Sequence, residues 1–310
     1  MTSEITLFVN PTAGRGRGAH AAQPAASALR AAGFSVRTVL GADADDALRR
    51  AREAVEGGTG ALITVGGDGM VNLALQAVAG TTTPLGVVAA GTGNDFARAM
   101  GLPIRDPARA GECAARALKD GRLTDIDLGR TGDRWFATVL ASGFDSKVND
   151  RGNRMRWPSG RFKYDLAMLA ELAAFKPIPY KITLDDGETR EIEATLVAVG
   201  NSSSYGGGMR ICADADLTDG LFDVTVVGDC SRATLVKVFP RVYKGTHLGH
   251  PKVTTYRVAS IGLAADGITG YADGERLGPL PLTAECVRGA VRVLAPVPAS
   301  GRKAAAPGLQ

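Results

Sequence analysis

Two glycine-rich turns constrain the fold of this chain more than any other feature: Ile63 to Leu75 (ITVGGDGMVNLAL) and Leu85 to Met100 (LGVVAAGTGNDFARAM). Each reads as an apolar strand, a glycine loop and the start of a helix. Without side chains in the loop, backbone N–H groups can approach an anion, and the helix that follows adds the positive end of its dipole. Two such turns close together predict a polyphosphate ligand.

The composition agrees with a chain that folds. At 310 residues and 45% hydrophobic content it is long enough for two domains with their own cores, and its 40 glycines point to many tight turns. A net charge of +4 suits an anionic ligand or an anionic membrane surface and is too mild for a nucleic-acid binder. Cys113, Cys212, Cys230 and Cys286 lack CxxC spacing, so they read as reduced thiols rather than a disulfide or zinc framework. His247 and His250 form an HxxH pair without further ligands and read as surface histidines. The chain begins directly with the strand-like ITLFVN, and no apolar run approaches ~18 residues, which predicts a soluble, cytoplasmic protein.

Residues 1–125 alternate strand and helix patterns and predict a doubly wound α/β domain. Ile5 to Val9 reads as a strand that ends at Asn10-Pro11 and a Gly/Arg loop, with a helix from His20 to Ala32. A strand at Phe34 to Leu40, a helix at Asp45 to Val55, strands entering both glycine turns and a helix at Cys113 to Lys119 complete it. Residues 126–296 change texture and predict a β-rich, sandwich-like second domain. Its strands are Trp135 to Leu140, Tyr180 to Leu184, Glu193 to Val199, Phe222 to Val227, Val253 to Ile261 and Val287 to Leu294. Helical spacing appears at Tyr164 to Phe175 and from Arg232 to Tyr243. A short C-terminal part is allowed to return to the first domain, and residues 297–310 read as a disordered tail.

Neither glycine turn matches GxxxxGK[ST], and neither matches GxGxxG followed by an acidic ribose ligand. The set of Asn10-Pro11 with Gly14-Arg15-Gly16, then Gly66-Gly67-Asp68-Gly69, then Gly91-Thr92-Gly93-Asn94-Asp95-Phe96-Ala97-Arg98 resembles the nucleotide-binding half of the diacylglycerol kinase and sphingosine kinase family of lipid kinases. The order continues with Ala141-Ser142-Gly143-Phe144-Asp145, Tyr205 to Met209, Asp219 to Val224 and Asp273-Gly274-Glu275, so the resemblance spans about Ile5 to Pro296.

That resemblance implies an ATP- and Mg²⁺-dependent kinase whose site lies in the cleft between the two domains, with a lipid alcohol as acceptor. Diacylglycerol leads; phosphatidylglycerol, a sphingoid base and ceramide stay open. It implies nucleotide-binding positions at Asn10, Thr12, Arg15, Gly66, Gly67, Asp68, Gly69, Gly91, Thr92, Asn94 and Asp95. Asp68 would hold Mg²⁺, Asp273 would act as general base, and Glu275 would organise metal and water. Asp219, beside Asp214 and Asp216, would hold a structural Mg²⁺. Plainer readings stand beside these: Asp68, Asn94 and Asp95 as helix caps, Asp273 as a hairpin turn, and Arg15 and Arg17 as solvated arginines rather than contacts to nucleotide phosphates.

Three positions depart from the family pattern. Met70 stands where a hydroxyl is usual beside the phosphates, Leu73 where Glu is usual, and Ala90 where Pro is usual. A NAD kinase and a non-catalytic nucleotide- or lipid-binding homologue therefore remain as alternatives. The basic segment Arg151, Arg154, Arg156, Arg161 and Lys163, with Trp157, Phe162 and Tyr164, predicts transient contact with an anionic membrane, which would place the enzyme peripherally at its inner face. Homodimerisation is left open.

Overall fold

Alternate side chains of the inner strands of the first half are buried in opposite directions, which is why these strands read as continuous apolar runs. From Glu4–Val9 (β1), Ile5, Leu7 and Val9 join one core while Phe8 joins another. Ser35–Val39 (β2), Leu62–Gly66 (β3) and Leu85–Ala89 (β4) pair with β1 in the parallel order β2-β1-β3-β4. The structure, a computed structural model, describes residues 4–143, 177–185 and 187–295.

Helices cover both faces. Ala13–Ala31 (α1) and Pro107–Asp120 (α5) bury Ala25, Leu29, Ala114 and Leu118 against Ile63 and Val65. Ala44–Glu56 (α2) and Asp68–Val78 (α3) bury Ala51 and Leu75 against Leu62 and Val87 on the other side. A short helix, Asp95–Ala99 (α4), follows β4. The chain goes from β1 outward to β2 and then back across to β3, so a crevice opens beyond the C-terminal ends of β1 and β3, where doubly wound sheets bind ligands. The expected start of the first helix needs correction. It begins at Ala13 rather than His20, because the Asn10 side chain accepts the Thr12 N–H and hydroxyl (3.0 and 2.8 Å) and turns the chain at once.

The second half is antiparallel. Its strands are Thr124–Thr131 (β5), Arg134–Phe136 (β6), Val139–Gly143 (β7), Ile178–Leu184 (β8), Thr189–Gly200 (β9), Phe222–Gly228 (β10), Val253–Val258 (β11), Ser260–Ala264 (β12), Thr269–Ala272 (β13), Glu275–Pro279 (β14) and Leu282–Val293 (β15). Tyr180, Val197, Val224 and Ile261 form its core with Phe136 and Phe222, whose rings stack at 5.8 Å. A helix at Arg232–Val242 (α6) packs Val238 and Val242 inward. The expected strand Val253 to Ile261 is two strands, divided where Asp185 accepts the Ala259 and Ser260 N–H groups. β15 pairs antiparallel with β12 and β5 and then, at Val293 opposite Leu85, parallel with β4. The last described strand thus joins both halves.

Among the described residues, no helix is long and apolar enough to cross a membrane. The expected helix Tyr164 to Phe175, the pair Phe144-Asp145, the basic segment from Arg151 to Tyr164 and the tail lie outside the described residues.

Candidate active site

The two glycine turns touch backbone to backbone. A Cβ at Gly91 would stand 2.4 Å from the Gly67 Cα, so neither position tolerates a side chain without movement. Gly66 ends β3, and its carbonyl accepts the Ala90 N–H at 2.7 Å, which holds the turns in register. Arg17 donates to the carbonyls of Gly14 and Gly91 (2.9 and 3.0 Å), and Arg98 donates to that of Gly93 (3.0 Å). These arginines turn the loop carbonyls away. Among the described residues, the Gly67, Asp68, Gly69, Thr92 and Gly93 N–H groups are left without an acceptor.

Helix capping sorts the same way. α2, α5 and α6 each carry a side-chain cap, from Asp43, Asp106 and Ser231. α1 and α3, which start beyond β1 and β3, have none. Their orphan N–H groups and dipole ends face the crevice and suit an anion. Asn10 and Thr12 shape the first of these ends through their mutual bonds. Arg15 lies there too, though its side chain is outside the described set.

Asp68 is a cap, but of a distant helix. Its Oδ2 accepts the Asn94 N–H and its Oδ1 the Asp95 N–H, each at 2.7 Å, with Phe96 N–H at 3.4 Å. Asn94 holds left-handed backbone (φ 55°) because its side chain bonds Gly91 at both N–H and carbonyl (2.9 and 3.1 Å). Asp95 faces the second half: its carboxylate accepts the Gly207 N–H at 2.8 Å and the Gly208 N–H at 2.9 Å. Burial pushes the Asp95 carboxyl above its ordinary range; those N–H groups oppose the shift and neighbouring Asp68 adds to it.

From the second half, the hairpin of β13 and β14 reaches the same place. Its turn, Asp273-Gly274, has positive φ at both positions (54° and 84°), the twist a two-residue hairpin loop requires. The Asp273 carboxylate nevertheless points inward. Oδ1 accepts the Thr138 N–H and hydroxyl (2.8 and 2.5 Å), and Oδ2 accepts the Ala137 N–H at 2.9 Å and the Asn72 amide at 3.3 Å. Burial pushes this carboxyl up, while the same donors pull it down. Asn72 belongs to α3, so the hairpin tip meets the helix that starts in the first glycine turn. Glu275 lies over that turn, where a Cβ on Gly69 would be 3.4 Å from its Oε1.

The comparisons with known proteins now decide the family. Residues 4–131 match the model of the diacylglycerol kinase catalytic domain, and residues 138–295 match that of the YegS C-terminal NAD kinase beta sandwich-like domain. A curated diacylglycerol kinase of Mycobacterium tuberculosis is 45% identical over 94% of this chain and 95% of its own length. The chain belongs to the diacylglycerol kinase family. It is a kinase. A diacylglycerol kinase of Staphylococcus saprophyticus is 28% identical, covering 91% of this chain and 92% of its own. The fold is shared with a solved diacylglycerol kinase of Bacillus anthracis (TM-score 0.72, 23% identity, 94% and 97% coverage). It is shared more loosely with an NAD kinase of Archaeoglobus fulgidus solved with ATP (TM-score 0.54, 13% identity, 95% and 93% coverage).

Within this family member the structure redraws several sequence expectations. Met70 is 5% exposed and packs against Gly66 in the core. Arg17 serves the loop backbone rather than solvent. His247 is buried, not on the surface; its Nε2 is 3.0 Å from the Ile211 carbonyl, and burial lowers its pKa. Asp219 ion-pairs with Arg257 and accepts the Leu221 N–H at 3.0 Å, while Asp216 accepts from Thr218. No group of three or more acidic, His or Cys side chains suited to a metal gathers among the described residues, and the Arg257 guanidinium occupies one side of Asp219. Asn72, Thr138 and the Gly207-Gly208 pair are not among the site residues expected from sequence; an Asn among the apolar residues that follow the first glycine turn is the available signal for the first.

Proposed function

We propose that this kinase transfers the γ-phosphoryl group of ATP to a lipid hydroxyl with Mg²⁺, converting diacylglycerol to phosphatidic acid. The observation that carries the reading is the junction of halves: Asp273 bonded to Asn72 of α3, and Glu275 against Gly69. A donor phosphate and an acceptor hydroxyl brought to one place need a cradle, a base and a route between them.

The chain's residues fit a polyphosphate. Gly67, Gly69, Thr92 and Gly93 offer unpaired N–H groups, and the uncapped ends of α1 and α3 add partial positive charge. A Cβ at Gly93 would stand 2.8 Å from Asp68 Oδ2 and 3.2 Å from Asp95 Oδ2, so this glycine brings backbone close to two carboxylates. Asp68 and Glu275 would hold a Mg²⁺, since such ions take only one or two carboxylates from a protein. When bound, the ion neutralises charge on the phosphates.

Asp273 takes the proton of the acceptor hydroxyl. All four acceptor sites of its carboxylate are engaged, and the Asn72 amide, the longest bond at 3.3 Å, is the one that gives way. A carboxyl raised by burial is a better base near neutral pH than an exposed one. The proton moves to Oδ2, the acceptor oxygen bonds phosphorus, and ADP leaves.

The test is a Mg²⁺-dependent turnover screen with diacylglycerol, other long-chain alcohols and NAD⁺, with mass identification of the product. Phosphatidic acid supports the reading. Phosphorylated NAD⁺, or turnover that survives excess chelator, overturns it.

A further inference from the structure

Between Ser231 and Ala265 the chain carries no Asp or Glu but six Lys and Arg residues, in a protein whose whole net charge is +4. The centre of this stretch is α6. Its outward face presents Arg232, Lys237, Arg241 and, just past its end, Lys244, and none of these cations pairs with a carboxylate among the described residues. Interleaved with them are Val236 and Tyr243, at 54% and 42% exposure; with Leu40 they are the exposed large hydrophobics of the described residues. The opposite face is anchored, with Val238 and Val242 buried.

We propose that α6 is the face by which this protein docks on an anionic lipid bilayer, lying flat at headgroup depth. Cations mixed with protruding apolar side chains on one short helix match that surface, because the cations meet headgroup phosphates while the apolar groups enter the interface. Tyr243 has the amphipathic ring that settles at this depth. Pro240 gives no N–H to the Val236 carbonyl, and both residues lie on the exposed side of the helix. Headgroup water satisfies such a carbonyl; a dry protein interface without a matching donor does not. The face also lacks any acid with which a second copy of itself would pair. The proposal draws its purpose from the lipid-acceptor reading, but its test does not depend on that reading.

The experiment measures co-sedimentation of the full chain with phosphatidylglycerol–phosphatidylcholine vesicles and with phosphatidylcholine alone, at low and high salt. We expect binding to the anionic vesicles only, weakened as the Debye length falls from ~10 Å at 0.1 M to ~3 Å at 1 M. Lys237→Glu with Arg241→Glu should lose about tenfold or more in binding, whereas Lys237→Arg with Arg241→Lys should not. Tyr243→Trp should add a fluorescence band that shifts blue on the anionic vesicles. Circular dichroism and the thermal midpoint establish that each variant is folded. Folded reversal variants that bind like the wild type, or an added indole band in Tyr243→Trp that does not shift, overturn the proposal. So does a concentration-dependent dimer that the reversal dissolves without any vesicle binding. Turnover of detergent-dispersed diacylglycerol separates the two readings: its absence with vesicle binding intact removes the acceptor, and its persistence in a reversal variant that no longer binds vesicles assigns α6 to docking alone.

Discussion

Thr138 gives both its N–H and its hydroxyl to one oxygen of Asp273, at 2.8 and 2.5 Å. The carboxylate proposed as general base is therefore held by a residue from the link between β6 and β7. Both bonds favour the ionised carboxylate and offset part of the upward push of burial.

Thr138→Val removes the hydroxyl and keeps the shape. We expect a stability loss of about 1 kcal/mol, one hydrogen bond's net worth, and an ascending limb of the pH–rate profile displaced to higher pH. Denaturant titration and kcat against pH check the two together. A lower midpoint with the limb unmoved would make Thr138 a structural residue only.

Asp68→Asn places an amide where two N–H groups point at 2.7 Å. We expect turnover to fall on the order of 10²-fold or more, and the amides of Asn94, Asp95 and Phe96 to exchange faster with solvent. Asp273→Asn should lose a similar factor without faster exchange in α4. Hydrogen exchange by mass spectrometry, run beside the kinetics, tells the two roles apart.

Asp95 supplies a pH test of the contact between halves. Its folded carboxyl is raised above the 3.8 of a free Asp, so the folded state binds this proton more tightly than the unfolded chain does. Its contribution to stability is then fully present below pH 3.8 and is lost as pH rises through the raised folded value. Against Asp95→Asn, which does not titrate, the wild type should lose relative stability between about pH 4 and that value. Unfolding free energies of both proteins across this range measure the difference, and a difference that grows with pH would reverse the sign.

Met70→Thr should leave ATP affinity unchanged and cost roughly 2–4 kcal/mol, because it trades a buried thioether for a smaller, polar group in the core. Isothermal titration with ATP and chemical denaturation give the two numbers. Tighter ATP binding would set this position beside the phosphates.

The case of Met70 shows what the sequence could have told. Two residues past Asp68 on a helix lies about 200° around it, so a side chain at position 70 faces away from whatever Asp68 faces. The glycine turns, the strands that feed them and the late Asp-Gly-Glu were legible because backbone demands for glycine and apolar periodicity are local. The partners of Asn72, Thr138 and Gly207-Gly208 were not, since each lies far along the chain: 201 residues from Asn72 to Asp273 and 112 from Gly207 to Asp95. β13 and β14 escaped notice because four or five residues with glycine and proline carry little alternation. Arg17 read as a phosphate contact or a solvated arginine because nothing in its neighbours reveals the Gly91 carbonyl.

β15 has a bearing on how the molecule is made. The parallel sheet of the nucleotide half gains its neighbour for β4 only from Val293, and Val291, Val293 and Ala295 sit in the same core as Phe8 and Leu75. During synthesis, the first strands must wait for nearly the whole chain to leave the ribosome before their core is sealed. Closing so long a loop is slow, and the waiting intermediate exposes apolar surface. Cutting the chain between its halves should thus yield an N-terminal fragment that aggregates rather than a smaller nucleotide-binding protein.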